Sequence, residues 1–346
     1  MQSLLVNTSL NTSQLIKKNI SIILSFFAFS LFSWSLQADE PSKLSLPVVV
    51  VITQIVQHAS LDQEYQGILA ALKDAGYEDG KTMQLVFANA QGSLQTAGLI
   101  ADKFASLHPT VAVAISTPSA QTLGNKLKDQ KIPLVFTAVT DPLDAKLVTT
   151  LGKRPEAVTG VSDALLPGPQ LELIQKLIPQ VKTIGIVYNP GETNSTEAVQ
   201  QLLEEAKKRG LSLVLATADK SSEVITSTNK LIGKVDAIYI PNDNTAVSSI
   251  EIIVSIGKKH KIPVFAGDVG SIERGAVAAQ AYDRLTLGRE AGGLVAKILK
   301  GEKAGDLIIA KEHPLVLMIN LKSAQEMGVT IPEDMKGKAK LLGEKS

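Results

Sequence analysis

The chain has 346 residues, more than one hydrophobic core usually serves, so two α/β domains are expected. Hydrophobic residues make up 45% and charged residues 20%, the balance of a folded globular protein rather than a disordered one. A formal charge of +1 gives no basic surface for nucleic acid, and the lack of cysteine excludes disulfides, thiolate metal sites, a cysteine nucleophile and a lipid-modified N-terminal cysteine.

Residues 1–38 read as a secretory signal peptide. Lys17 and Lys18 precede an uncharged apolar run, Ile20 to Trp34, and Leu36-Gln37-Ala38 offers a small residue for cleavage before Asp39-Glu40. The run is short for a membrane span of about 20 residues, so cleavage is expected over retention as an anchor. Removing this segment takes away two lysines and no acid, which moves the net charge from +1 to −1.

Val48 to Val56 is a Val- and Ile-rich run, as expected of a strand buried on both faces. Its loop is Gln57-His58-Ala59. Ser60 with Gln63 fits a capping box, and the helix that follows lines up Leu61, Tyr65, Ile68, Leu69 and Leu72 before Gly76 ends it. A strand at Met83–Phe87, the loop Ala88-Asn89-Ala90-Gln91-Gly92 and a helix to about Leu107 come next. Val111–Ile115 is again uniformly apolar, and Ser116-Thr117-Pro118 starts a helix with hydroxyls able to cap free N–H groups and a proline suited to the first turn. Leu134–Val139 is the fourth strand and Thr140-Asp141-Pro142 its loop, followed by a short helix over Pro142–Thr150. Val158 to Val161 reads as an extended crossing into a second lobe.

The second half repeats the theme. A helix over Gln170–Leu177 leads to a strand at Thr183–Tyr188, whose loop Asn189-Pro190-Gly191-Glu192 runs into a helix started by Asn194 with Glu197. A strand at Leu211–Ala216, a helix at Glu223–Ile232 and a strand at Asp236–Ile240 follow, then the loop Pro241-Asn242-Asp243-Asn244-Thr245 and a helix to about Lys259. Lys261-Ile262-Pro263 before a strand and Asp268 echoes Lys131-Ile132-Pro133 before a strand and Asp141. Val277–Gln280 is a last short strand, Leu287–Leu299 a helix whose Gly and Ala content permits close packing, and Leu315–Ile319 an extended segment. Residues 336–346 form a polar tail, expected to fray.

The chemistry-bearing pattern is a series of small polar residues at strand ends: Thr117 and Ser119, Thr140 and Asp141, Asn194 and Ser195, Asn244 and Thr245, Asp268 and Ser271. Helix capping explains part of it. The rest suits a cleft at the carboxyl edges of parallel strands, where a helix N-terminus receives an anion and an aspartate receives an ammonium. None of His58, His108, His260 and His313 has a partner at metal-ligand spacing, and only His58 falls in a strand-end loop. Gly160-Val161-Ser162-Asp163-Ala164 lacks the last glycine of a nucleophile elbow and reads as a hinge. There is no dinucleotide fingerprint and no phosphate-binding loop. Tyr65, Tyr188 and Tyr282 are candidates to stack on a ligand ring, or to pack in the core.

Taken together, Gln54-Ile55-Val56 with His58, Ala88-Asn89-Ala90-Gln91-Gly92, Thr117-Pro118-Ser119-Ala120-Gln121, Val135 to Pro142, Tyr188 to Glu192 with Asn194-Ser195, Asp243-Asn244-Thr245 and Ala266-Gly267-Asp268 resemble the substrate-binding proteins of ABC importers with the type I periplasmic-binding fold. The narrower resemblance is to the family that includes tryptophan- and tyrosine-binding members, and it covers nearly all of residues 48–335. It implies an α/β protein of two Rossmann-like lobes with parallel sheets and a three-segment hinge, crossing near Thr159, Ala281 and Leu315. Lobe one would hold 47–159 and 282–314, lobe two 160–281 and 315–335. The ligand positions it implies are Thr117, Ser119, Thr140 and Asp141 from lobe one, and Asn194, Ser195, Asn244 and Asp268 from lobe two; His58 joins them from its place in the loop.

The function so implied is a periplasmic solute-binding protein delivering a small organic solute, an amino acid and among these an aromatic one, to a membrane permease. A free monomer rather than a lipoprotein is expected, with no cofactor, no metal and no catalytic set. Two alternatives stand beside it: a ligand-sensing receptor for a membrane kinase or chemoreceptor, and a secreted α/β enzyme using Asp141 or Asp268.

Overall fold

A computed structural model describes residues 47–343; the signal-peptide expectation and the last three tail residues lie outside the described residues. Among the described residues, twelve strands and twelve α-helices follow one another, mostly in alternation. The first five strands are β1 (Val48–Gln54), β2 (Met83–Asn89), β3 (Val111–Ile115), β4 (Leu134–Val139) and β5 (Val158–Ser162), with helices α1 (Ala59–Asp74), α2 (Leu94–Ser106) and α3 (Thr117–Leu127) between them. They form one sheet in the order β2-β1-β3-β4-β5, parallel throughout.

Alternate residues of these strands feed two separate cores. Val50, Ile52, Val111, Val113 and Val135 face Leu61, Ile68 and Leu72 of α1, whereas Val51, Ala112, Ala114, Leu134 and Phe136 face Phe104 of α2 and Leu123 and Leu127 of α3. Burial on both sides explains why β3 and β4 are apolar without alternation. Each fully buried Val, Leu, Ile or Phe contributes about 1.5–3 kcal/mol.

The second lobe begins with α4 (Pro167–Leu177) and continues β6 (Thr183–Tyr188), α5 (Thr193–Lys208), β7 (Ser212–Thr217), α6 (Val224–Asn229), β8 (Ala237–Ile240), α7 (Asn244–Ser248), α8 (Ile250–His260), β9 (Val264–Ala266), α9 (Gly270–Glu273) and β10 (Ala278–Tyr282). The chain then forms α10 (Arg284–Leu299), β11 (Leu315–Asn320), α11 (Leu321–Glu326), α12 (Glu333–Lys336) and β12 (Lys340–Leu342). The second sheet runs β12-β11-β10-β9-β8-β6-β7, with β11 antiparallel to β10. These are two α/β lobes with mostly parallel sheets, the type I periplasmic-binding arrangement that the resemblance implies. Among the described residues no helix is long and apolar enough to cross a membrane.

Several local expectations are corrected. Val158–Ser162 is not a crossing but the edge strand of the first sheet, paired with β4, so the chain leaves lobe one after Ser162 rather than at Thr159. Residues 142–150 form turns rather than a helix. The N-cap of α1 is His58, in extended conformation, and Ser60 is buried inside the helix. Glu192 rather than Asn194 precedes α5. The tail does not fray throughout: Lys340–Leu342 pairs in parallel with Met318–Asn320.

One packing contact fixes the geometry of the site. α10 returns to lobe one and lies directly against α1, because three glycines remove the side chains between them. A Cβ on Gly288 would collide with the Glu64 carbonyl oxygen, one on Gly67 with that of Leu285, and one on Gly292 would stand 2.7 Å from that of Ile68. Backbone meets backbone, so the first turns of both helices are held in fixed register. Gly288→Ala should therefore destabilise the protein by about 1–3 kcal/mol through overpacking. Gly293→Ala, on the same helix with open space around it, should be neutral or stabilising by up to about 1 kcal/mol through helix propensity. Chemical denaturation of the two variants measures the difference.

Candidate functional site

The carboxyl ends of β1, β4, β6, β8 and β9 converge between the lobes on a narrow cavity of about 20 Å³. His58, Ser60, Ala138, Thr140 and Arg284 line it from lobe one and its returning helix; Asn194, Asn242, Asp243, Asn244 and Asp268 line it from lobe two, with Asp163 in the linker between them. Of the sequence-predicted residues, His58, Thr140, Asn194, Asn244 and Asp268 are thus brought together. Thr117 and Ser119 lie outside this wall, buried at the start of α3 with hydroxyls that have no partner. Ser195 is fully buried and donates to Asp243 Oδ2 at 2.6 Å, so it supports the loop rather than facing the cavity. Asp141 turns away: its Oδ1 accepts from the backbone N–H groups of Leu143 and Asp144, and it lines a neighbouring cavity with Glu197 and Gln201. Of the tyrosines, Tyr65 packs on Phe87, and Tyr282 packs on His313 and donates to the Ala164 carbonyl. Neither they nor Tyr188 line the cavity.

On the lobe-two wall, Glu192 organises the loop after β8. Its Oε2 accepts from Asn244 Nδ2 at 2.5 Å and Asn194 Nδ2 at 3.2 Å, and its Oε1 from the Thr245 hydroxyl at 3.0 Å. Asp243 caps α7 through Ala246 N–H and also accepts from Asn189 N–H. Burial, then the nearby Glu192 charge, pushes its carboxyl up to about 7. Asp268 accepts from Ser271 N–H and its hydroxyl, and across the cleft from Ser60 Oγ at 2.5 Å. An ionised carboxylate has about four lone-pair sites, so one remains for a ligand donor. Asn194 Oδ1 and His58 Nδ1 are buried without partners. Burial drives His58 down to about 4, so the ring is neutral at physiological pH and able to accept or donate one hydrogen bond.

The buried Arg284 was not singled out in the sequence. Its Nη1 donates to Glu64 Oε1 at 2.9 Å and Asp163 Oδ2 at 2.7 Å, and its Nη2 to Asn242 Oδ1 at 3.1 Å. One signal was available: Arg284 is the first residue of α10, where a cation opposes the helix dipole, and such a placement needs compensating acids. Glu64 also accepts from the Thr137 hydroxyl, yet full burial holds its carboxyl up at about 7 against the pull of Arg284. For Arg284 burial acts downward, but Asp163 and Glu64 outweigh it, and the guanidinium pKa is raised.

Two backbone positions at this edge are strained. Ser116, before α3, has φ 89°, and Ala138, on the cavity wall, has φ 53°, where β4 slips register against β5. Non-glycine residues in these regions cost on the order of 1–3 kcal/mol and concentrate at binding sites.

The pH consequence of Glu64 has a definite sign. Its folded pKa lies above the unfolded one, so the stability it contributes is present below about 4.5 and is lost as pH rises through about 7. Glu64→Gln keeps an acceptor for Arg284 and removes this titration. The variant should gain on the order of 3 kcal/mol relative to wild type between pH 4.5 and 8, read from denaturant midpoints across that range.

Residues 49–341 match the family model described as ABC transporter substrate binding protein. A tyrosine-binding protein from Clostridioides difficile (strain R20291) is 41% identical over 269 residues, 78% of this chain and 77% of its own. A Streptococcus ABC domain solved in complex with L-Trp is 34% identical and superposes with a TM-score of 0.81 over 85% of this chain and 99% of that one. A ligand-free, open substrate-binding protein with adhesive properties from Clostridium difficile is 38% identical but reaches only 0.64, over 86% of this chain and all of its own. Identity and coverage are similar in the two cases. The chain therefore superposes more closely on the L-Trp complex than on the ligand-free, open protein.

Proposed function

The chain belongs to the family of ABC transporter substrate-binding proteins, and from that premise we propose that it captures an amino acid of the aromatic class between its lobes and delivers it, outside the cytoplasm, to a membrane permease. The observation that carries this reading is the convergence, from both lobes, of buried polar atoms that lack partners on one small cavity: His58 Nδ1 from lobe one and Asn194 Oδ1 from lobe two, beside the free lone pair of Asp268. Buried polar groups are normally satisfied, and leaving one unpaired costs about 1–3 kcal/mol. A ligand that supplies the missing partners recovers this cost only when the lobes are together, so closure and capture are one event.

Asp268 and Asn194 suit an ammonium group. The unpartnered Thr117 and Ser119 hydroxyls at the N-terminus of α3 lie outside the wall of the present cavity, and suit a carboxylate that reaches past it. The named tyrosine-binding relative and the L-Trp complex support an aromatic side chain. The cleft supplies hydrogen bonds and charge but no arranged nucleophile, base and electrophile-stabilising pair, so binding without chemical turnover is the expected behaviour.

Thermal shift with the twenty amino acids, hexoses and nucleosides tests the reading. L-Tyr or L-Trp at 100 times its dissociation constant should stabilise by about 2.7 kcal/mol; a response confined to sugars or nucleosides would overturn the amino-acid assignment. Asp268→Asn should weaken amino-acid binding by about 1.5–3 kcal/mol, the scale of one hydrogen bond to a charged group, and Thr117→Val by about 1–2 kcal/mol. Calorimetry on each variant gives these values, and unchanged affinity would remove that residue from the site.

A further inference from the structure

We propose that Asn242 is a latch, a positioning residue that holds the lobes together by docking its side-chain amide into a receptor formed by Arg284 and Asp163, independently of which ligand is bound. The receptor is tied to lobe one. Arg284 is fixed to Glu64 by an ion pair and by the glycine-mediated contact of α10 with α1. Asp163 follows the edge strand β5, and its Oδ1 accepts from Thr140 Oγ1 at 3.2 Å. Arg284 Nη1 and Asp163 Oδ2, 2.7 Å apart, lock the two together. They leave a donor, Arg284 Nη2, beside an acceptor, Asp163 Oδ2.

Asn242 stands on lobe two, two residues beyond the end of β8. Its Oδ1 accepts from Arg284 Nη2 at 3.1 Å and its Nδ2 donates to Asp163 Oδ2 at 3.0 Å. A carboxamide offers an acceptor and a donor side by side at any pH in the physiological range. The backbone carbonyl of Asn242 accepts from Asn194 Nδ2 at 2.8 Å, so the residue is itself anchored to the lobe-two ligand wall. The receptor stays with lobe one through β5 and α10, and the amide stays with lobe two through β8. Asn242 Nδ2 also reaches the Asp163 backbone carbonyl at 3.3 Å, so opening the hinge must break three amide bonds and leave the Arg284–Glu64 and Arg284–Asp163 pairs intact. Ser60 with Asp268 and Gln121 with Thr193 also bridge the lobes, but neither engages the buried guanidinium.

The test measures the lobes without any ligand, so its result stands whether or not the amino-acid reading does. The chain has no cysteine, which allows spin labels at Gln95→Cys and Ser222→Cys, exposed positions on lobe one and lobe two, and a pulsed electron-resonance distance distribution between them. In ligand-free protein, Asn242→Ala should lower the short-distance population about tenfold. Asn242→Asp, the same size but with an acceptor turned toward Asp163, should do the same. With L-tyrosine or L-tryptophan as probe, a ligand that binds should lose affinity by the same factor. Adding Asp163→Asn to Asn242→Ala should change little further, because Asn242→Ala already removes every bond by which Asp163 holds the amide. Ligand-free distributions identical to wild type would overturn the latch. Affinity lost with unchanged distributions would overturn it too, by making Asn242 a ligand contact. Strictly additive effects of Asn242→Ala and Asp163→Asn would also overturn it.

Discussion

The structure depends on one buried cation. The Arg284 guanidinium is 3% exposed and touches an acid on α1, an acid in the linker after β5 and an amide at the end of β8. A buried ion pair of this kind contributes little net stability over a well-packed apolar set, because desolvation offsets the attraction, yet removing one partner is costly. Its value lies in geometry. An arginine offers five donors in a rigid plane, and here that plane fixes how three chain segments meet where two of the linkers lie. Everything that positions it follows from the sequence around it: the Asp283 cap that starts α10, and the glycines that let α10 lie against α1.

The cleft carries two kinds of unfavourable local structure, both at the carboxyl ends of lobe-one strands. Ser116 and Ala138 have left-handed backbone, and the Thr117, Ser119 and His58 side chains hold buried polar atoms without partners. Strain of this sort persists only where the surrounding fold over-determines it. The surrounding fold does so here, since β3 and β4 are entirely buried between two cores. The stable sheet thus holds polar groups ready for a ligand, rather than letting them relax onto each other.

Four of the five lobe-one strands and most helix positions were legible in the sequence because buried parallel strands leave continuous apolar runs and their helices leave apolar faces. What sequence missed was pairing and direction. Val158–Ser162 is as extended as a linker would be, and only its register with β4 makes it a strand of the first sheet. Ser60 fits a capping box by spacing, but the N-terminus falls two residues earlier, and the hydroxyl instead reaches Asp268, 208 residues away. The site was half legible for the same reason. His58 and Asp268 stand in strand-end loops, and Asn194 and Asn244 in the first turn of the helices that follow such loops, all at strand ends that the topology brings together. Glu64 and Arg284 sit on helices, where one charged residue among many carries no mark of being buried. Asp141 and Asp268 have matching places after Lys-Ile-Pro strands, yet only Asp268 faces the cavity, because Asp141 spends its carboxylate on the turn that replaces the expected helix.

The closed arrangement balances opposing terms across the same gap. The Asn242 amide, the Ser60–Asp268 bond and the Gln121–Thr193 bond draw the lobes together. At the rim, closure also gathers Asp141 and Asp144 of lobe one with Glu197 of α5, their nearest carboxylate oxygens within 4.8 Å of one another. Partial burial, with those two acids, pushes Glu197 up to about 7, the signature of a charge that resists the approach. A binding protein needs this opposition. If attraction between the lobes greatly exceeded repulsion, the cleft would stay shut and no ligand could enter. If repulsion dominated, ligand contacts would be consumed in forcing closure and apparent affinity would fall by the closed fraction. With the two near balance, the differential affinity of the ligand for the closed state decides which arrangement is populated. The acids at the rim and the amide at the hinge are therefore parts of one equilibrium, set by residues that need not touch the ligand.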